Sequence, residues 1–397
     1  MTLMIAAPQS FIAKHKTVTV LFALWLGHFA VDSFTGIWPI YKTLAGLDLV
    51  KAGLIASIGG FVGNSLQIVF GYFGDKGWSR ILLSLGVLAA GSIIFVPYIE
   101  TTNYFLMGVL VMLTYLGSSA YHPSGTGTAS TFTTVSIGKI TALFLSGGFV
   151  GYAFSQLLFT KIYAETGGKT AIMFLLAVVV GGLLFLLSPP AAKQKTKHSG
   201  FWAATKGIRQ PLTFLYIVMI CASGVNMVLV FLLPDVLQAK QASTWMIYGG
   251  GHMLMVMGGC VGLLPAGHLA DKYGPRQVMM VGLVALGILL PVVALFEGNN
   301  NITLAILLFL LGVSSSTCNV VGVTYGNRLM PKHTRTVSGL LMGSAWCVAG
   351  VSTFIGGWLA DPKYGGSPES ALIWFVFAVG CGFVFSFLLP RASTLQR

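Results

Sequence analysis

The sequence predicts an all-α membrane protein with twelve transmembrane helices in two pseudo-symmetric six-helix bundles. Three observations carry this expectation. The 397 residues are 55% hydrophobic and only 8% charged, with mean hydropathy +0.83, whereas soluble domains carry about 25% charged residues. Apolar runs near the ~20 residues needed to cross a bilayer recur along the chain. Lysine and arginine are shared very unequally between the two ends of those runs.

The spans are expected near 17–40, 52–74, 80–98, 104–127, 139–162, 170–190, 212–234, 245–268, 277–296, 302–327, 336–360 and 370–389. Lys14 and Lys16 precede the first, which is too long for a signal-peptide core and lacks a small-residue cleavage site, so it is expected to be retained. An even span count puts both termini on one face. That face receives 17 of the 23 basic residues, and the other receives Lys42, Lys51, Lys161, Lys169, Lys240 and Lys363. Basic residues accumulate in cytoplasmic loops, so the termini are assigned to the cytoplasm and the chain to the inner membrane. The net charge of +13 is thus a topology signal with some attraction to anionic lipid, not a nucleic-acid footprint. Cys221, Cys260, Cys318, Cys347 and Cys381 all fall in spans of the second half without a CxxC pair, so neither a disulfide framework nor a metal site is expected.

Two stretches reveal an internal repeat. Residues 71–80 read GYFGDKGWSR and residues 267–276 read GHLADKYGPR, both G-x-x-x-D-K, with Asp75 and Asp271 196 residues apart. Each half also closes on a Leu-Leu run followed by proline, at Pro189 and Pro390. The expected organisation is a bundle at 1–190, a basic linker at 191–211 and a bundle at 212–397, the plan of a duplicated transporter. Gly71, Asp75, Lys76 and Arg80, with Gly267, Asp271, Lys272, Gly274 and Arg276, form candidate gating loops. Glycine there permits close helix approach and aspartate can accept from a neighbouring helix start.

Asp32 is the one acidic residue expected at bilayer depth; Asp75 and Asp271 sit in the loops and the other seven at span ends. A buried carboxylate is costly and usually faces a cavity. His28 lies one turn away on the same face and titrates near neutrality. The pair can load and release a proton; the alternative is a hydrogen-bonded contact to a neighbouring helix. Asn64, Gln67, Tyr121, His122, Asn226, His252, Asn319 and Tyr325 are candidate cavity residues. In the fourth span Pro123, Gly125 and Gly127 are expected to bend the helix or admit close packing beside His122.

The repeated loop resembles the signature of the major facilitator superfamily. The second copy matches through Gly267, Asp271, Lys272, Gly274 and Arg276; the first carries its glycine one position early, at Gly77. Four further stretches, GHFAVDSF, SLQIVFGYFGDK, GSSAYHPSG and LSGGFVGYAFS, resemble the fosmidomycin-resistance branch. The resemblance singles out His28, Asp32, Gln67, His122, Pro123, Gly148 and Gly151. This chain departs from the branch at Ile68, which replaces a proline, at Ser124, which replaces a glutamate, and at Ser155-Gln156, which replaces the Gly-Pro associated with antiport.

The resemblance implies a secondary transporter, not an enzyme, moving a small organic solute or drug. It would use the proton gradient and no cofactor, and would work as a monomer in the bilayer. Efflux by proton antiport is the expectation, and uptake by symport the alternative. A non-transporting membrane sensor or enzyme is more distant: the chain has no G-x-S-x-G or H-E-x-x-H motif, and ETGGKT at 165–170 lacks the first glycine of a phosphate loop.

Overall fold

A computed structural model describes residues 7–131, 137–188, 208–297, 300–331, 333 and 337–390. Among these residues every regular element is helical. Eleven continuous helical stretches are long and apolar enough to cross a membrane. One of them, Leu49–Tyr98, is 50 residues long, about 75 Å if straight and more than twice a bilayer core. It turns back on itself at Gly77, whose φ of 102° is open to glycine at little cost. The described residues therefore make twelve crossings, as expected.

The first span is Thr17–Leu44, the second Leu49–Phe73 and the third residues 79–98. The fourth is Tyr104–Ala129, the fifth Ala142–Glu165 and the sixth Thr170–Leu187. The seventh is Arg209–Ala239, the eighth Met246–Tyr273 and the ninth Pro275–Leu295. Asn301–Leu329, Gly339–Ala360 and Pro368–Phe387 complete the set. Several starts are capped by the residue just before them. Asp48 accepts from Lys51 N–H, Asn103 from Leu106 N–H, and Asn300 from the N–H groups of Ile302 and Thr303, satisfying amides the helix leaves unpaired.

The twofold plan shows in which helices touch. The first span packs on the fourth, fifth and sixth, the second on the fourth, and the third on the fourth and sixth. Adding six to each number gives the packing of the second half: seventh on tenth, eleventh and twelfth, eighth on tenth, ninth on tenth and twelfth. The halves meet through the second span on the eleventh, the fifth on the eighth, and the end of the first on the seventh. Pro189 and linker residues 191–207 lie outside the described residues, and the seventh helix already begins at Arg209.

Both repeated loops place a glycine in the left-handed region, Gly77 at 102° and Gly274 at 96°, so the one-position offset does not cost the first loop its reversal. The contacts of their charged residues lie within each half. Arg80 donates twice to Ser188 O, at 2.9 and 2.8 Å, and stacks on Phe185; Arg276 stacks on Phe387. Each arginine thus ties the third span of its half to the sixth. Asp271 pairs with Arg328, while Asp75 is exposed.

Candidate functional site

The first and fifth spans approach closely because the fifth carries Gly147, Gly148 and Gly151. A methyl group at Gly147 would strike Trp25 O, one at Gly151 would strike Phe29 O, and one at Gly148 would overlap His28 Nε2 and Asp32 Oδ2. The glycines expected to serve packing therefore clear the space in which the His28–Asp32 pair sits. Gly125 does the same against Phe144, while Gly127 faces open space. Pro123 does not break its helix, which runs unbroken from Tyr104 to Ala129.

Three titratable side chains converge midway along the first span, His122 coming from the second half of the fourth. His28 Nε2 is 3.3 Å from Asp32 Oδ2, and His122 Nε2 is 3.3 Å from Asp32 Oδ1. Each carboxylate oxygen thus has its own imidazole. The far side of each ring is also fixed: His28 Nδ1 lies 2.8 Å from Phe144 O, and His122 Nδ1 2.8 Å from Ser118 O. Side-chain exposure is graded, 30% for His122, 21% for Asp32 and 4% for His28. The triad is therefore most open on the His122 side. The donor atoms lie within 4.8 Å of one another. A tetrahedral metal site with bonds of about 2.0–2.1 Å would hold its donors about 3.4 Å apart, so the spread fits hydrogen-bonding partners better than a closed coordination shell.

The other candidates take varied places. Tyr121 is buried, stacks near Phe144, and donates its hydroxyl to Leu24 O. Gln67 donates to Asn64 at 3.0 Å, both half-buried. Asn319 accepts from Ser223 at 3.0 Å, and Asn226 is half-buried one turn further along the seventh span. Tyr325 is buried and donates to Pro390 O, pinning the tenth span to the chain's last described residue. His252 reaches across the halves to Tyr152 O at 2.9 Å.

Sequence reasoning missed the contacts that close the face opposite the termini. Lys42, expected beyond the first span, lies inside it, fully buried. It pairs with Asp235 of the seventh span and sits 4.6 Å above the Phe231 ring. Thr43 also donates to Asp235, at 2.8 Å. Nearby, Lys363 of the eleventh–twelfth loop pairs with Asp48 of the first–second loop at 3.3 Å. These pairs border a cavity of about 790 Å³ at that face. The signal available was opposite charge at the ends of spans one and seven, each just past a proline, Pro39 and Pro234. In the fifth–eighth interface Gln156 is buried with neither side-chain amide atom hydrogen-bonded, beside Gly249.

Comparison with known proteins fits this geometry. The Major Facilitator Superfamily model matches residues 251–396. An uncharacterized MFS-type transporter of Bacillus subtilis, YfnC, is 25% identical over an alignment of 427 positions covering 99% of both chains. The fosmidomycin resistance protein of Escherichia coli is 23% identical over 367 positions, 86% of each. Among solved structures, a bacterial homolog of the human lysosomal transporter Spinster, in an inward-facing and unoccupied conformation, superposes with TM-score 0.75 at 13% identity, covering 95% of this chain and 96% of that one. The nucleoside transporter NupG gives 0.71 at 12% identity, covering 96% of this chain and 99% of that one. At those identities the two structures speak for the fold alone.

Proposed function

We propose that this multi-pass membrane protein is a transporter of the major facilitator superfamily that exports a small organic solute in exchange for protons by alternating access. The observation that carries this reading is the partly exposed carboxylate of Asp32 held between two imidazoles at mid-span. A charge at that depth is expensive unless it works, and histidine titrates in the working pH range. The halves are tied together at the face opposite the termini by Lys42–Asp235 and Lys363–Asp48, which supports an arrangement closed there and open to water from the terminal face. By the distribution of basic residues that terminal face is cytoplasmic. Opening the far face requires the two ion pairs to part, and the proton site would then meet water from the other side.

The fosmidomycin-resistance relative makes that drug the first compound to try. Growth of cells with and without the protein across a panel of inhibitors identifies the solute. Flux in proteoliposomes under an imposed pH gradient then tests coupling, and equal flux with and without the gradient would defeat the proposal. The second reading, uptake by symport, is favoured by the fifth helix. It runs unbroken through Ser155 and Gln156 from Ile137 to Glu165, where Gly-Pro would mark an antiporter by resemblance. Solute accumulating in right-side-out vesicles on external acidification would select it.

A further inference from the structure

We propose that His122 is the second proton-holding residue of this transporter and its port to water, so that the His28–Asp32–His122 triad carries either one or two bridging protons. The inference rests on the proton-coupled reading above and assigns to the fourth span a part in it.

The argument begins at the ring nitrogens that face away from Asp32. A backbone carbonyl can only accept a hydrogen bond. His28 Nδ1 at 2.8 Å from Phe144 O must therefore carry a hydrogen, and so must His122 Nδ1 at 2.8 Å from Ser118 O. The Ser118 hydroxyl, 3.1 Å from the same nitrogen, does not alter this, because an unprotonated Nδ1 would set a lone pair against the nearer carbonyl. With both Nδ1 positions filled, a neutral ring has only a lone pair at Nε2, and both Nε2 atoms point at Asp32.

The states of the triad can then be counted. With no bridging proton, a carboxylate faces two lone pairs and the net charge is −1; neither 3.3 Å contact is a hydrogen bond. One bridging proton makes one contact a hydrogen bond and the net charge zero. Two bridging protons make both contacts N–H···O bonds from imidazolium to carboxylate, with net charge +1. Charge-assisted bonds of this kind are the strong ones, and an unmade bond is costly where water is scarce. The triad thus alternates between neutral and positive. The second proton passes from hydronium in the water at the exposed edge of His122 to its Nε2, an O–H bond breaking as an N–H bond forms, and leaves by the reverse step.

Exposure assigns the port. His122 is 30% exposed and His28 only 4%, so exchange with water proceeds at His122 while His28 stays sealed under Phe144, 4.3 Å from that ring. Other titratable groups on the packed helices do not compete. Tyr121 and Tyr115 of the fourth span and Tyr152 of the fifth are phenols, which stay neutral at physiological pH, and the sixth span carries no titratable residue. Arg80 of the third span and Asp235 of the seventh sit at opposite faces, held by Ser188 O and Lys42.

The test is solid-state NMR of the full-length protein in lipid bilayers with 15N-labelled histidine, titrated from about pH 9 to about pH 5, a range that brackets the ordinary histidine value. His28→Gln and His122→Gln assign the two rings. The expected result is a hydrogen on Nδ1 of both rings throughout, with His122 Nε2 gaining a hydrogen on acidification, one proton more than His28→Gln or His122→Gln can hold. A His122 ring found as the Nε2–H tautomer, or singly protonated at every pH, overturns the inference. Proteoliposome flux separates the two claims. A pH-gradient response with a singly protonated His122 sinks the role of His122 alone. No response to the gradient in the intact protein, with His122 charging as described, sinks the coupled-transport reading and leaves the triad's chemistry standing.

Discussion

His122 Nε2 stands 3.3 Å from Asp32 Oδ1 across two helices that are far apart in sequence. That contact, with the matching one from His28, turns a lone acid in an apolar helix into a closed set of three groups. Its persistence depends on the fifth span staying close, which leads to the first prediction.

Gly148→Ala puts a methyl group where His28 Nε2 and Asp32 Oδ2 now sit. Overpacking of this kind costs about 1–3 kcal/mol, and here it would also push the pair apart. The melting temperature of the detergent-solubilised protein should fall, and gradient-driven flux should drop by more than the protein lost. Unchanged flux per folded molecule would contradict the placement of the pair.

The Lys42–Asp235 pair makes a prediction of a different kind. Removing one partner of a buried ion pair costs about 3–5 kcal/mol, because the other charge is left behind, whereas replacing both with apolar residues is often neutral. Lys42→Ala should lower the melting temperature sharply, and Lys42→Met with Asp235→Leu should recover most of the loss. In Lys42→Ala a cysteine placed in the outer cavity should also label faster with a membrane-impermeant thiol reagent. A double variant no better than the single one would show that the charges are not bound to each other.

The Asp48–Lys363 pair should be silent over the pH range in which transport responds. Burial pushes the Asp48 carboxyl up, but the Lys51 N–H and the Lys363 ammonium outweigh it and hold it below its ordinary 3.8. The hydrogen bond and charge of Asp48 hold Lys363 above its ordinary 10.5. A depressed carboxyl stabilises above its unfolded value and loses that contribution only as pH falls through the folded one. A raised amine stabilises below its unfolded value and loses it as pH rises through the folded one. The pair is therefore intact between about pH 5 and pH 9. Asp48→Asn should change flux by one factor at every pH in that window, leaving the shape of the pH profile as it was.

The architecture was legible because insertion physics writes it into composition. Apolar length sets the crossings, and basic residues mark one face. His28 and Asp32 were legible for a local reason: positions four apart on a helix share a face, and a carboxylate in an apolar run is too costly to be incidental. His122 was visible as a histidine beside a proline and as a position the family resemblance singles out. That it faces the same acid depends on how the fourth span packs against the first, a tertiary fact with no local signature. Lys42 misled for the opposite reason. A lysine just past an apolar run reads as a water-facing end, yet the first span continues to Leu44 and buries it against a carboxylate on the seventh. Tyr121 and Tyr325 are polar groups in apolar helices, and each spends its hydroxyl on a backbone carbonyl.

The most direct measurement compares intact protein with Asp32→Asn in proteoliposomes, using the solute identified by the growth panel and an imposed gradient of about one pH unit. One coupled proton across such a gradient sustains an approximately tenfold solute ratio. The intact protein should approach that ratio, while Asp32→Asn should let the solute equilibrate without concentrating it. If Asp32→Asn concentrates the solute as the intact protein does, coupling does not depend on the acid between the two histidines.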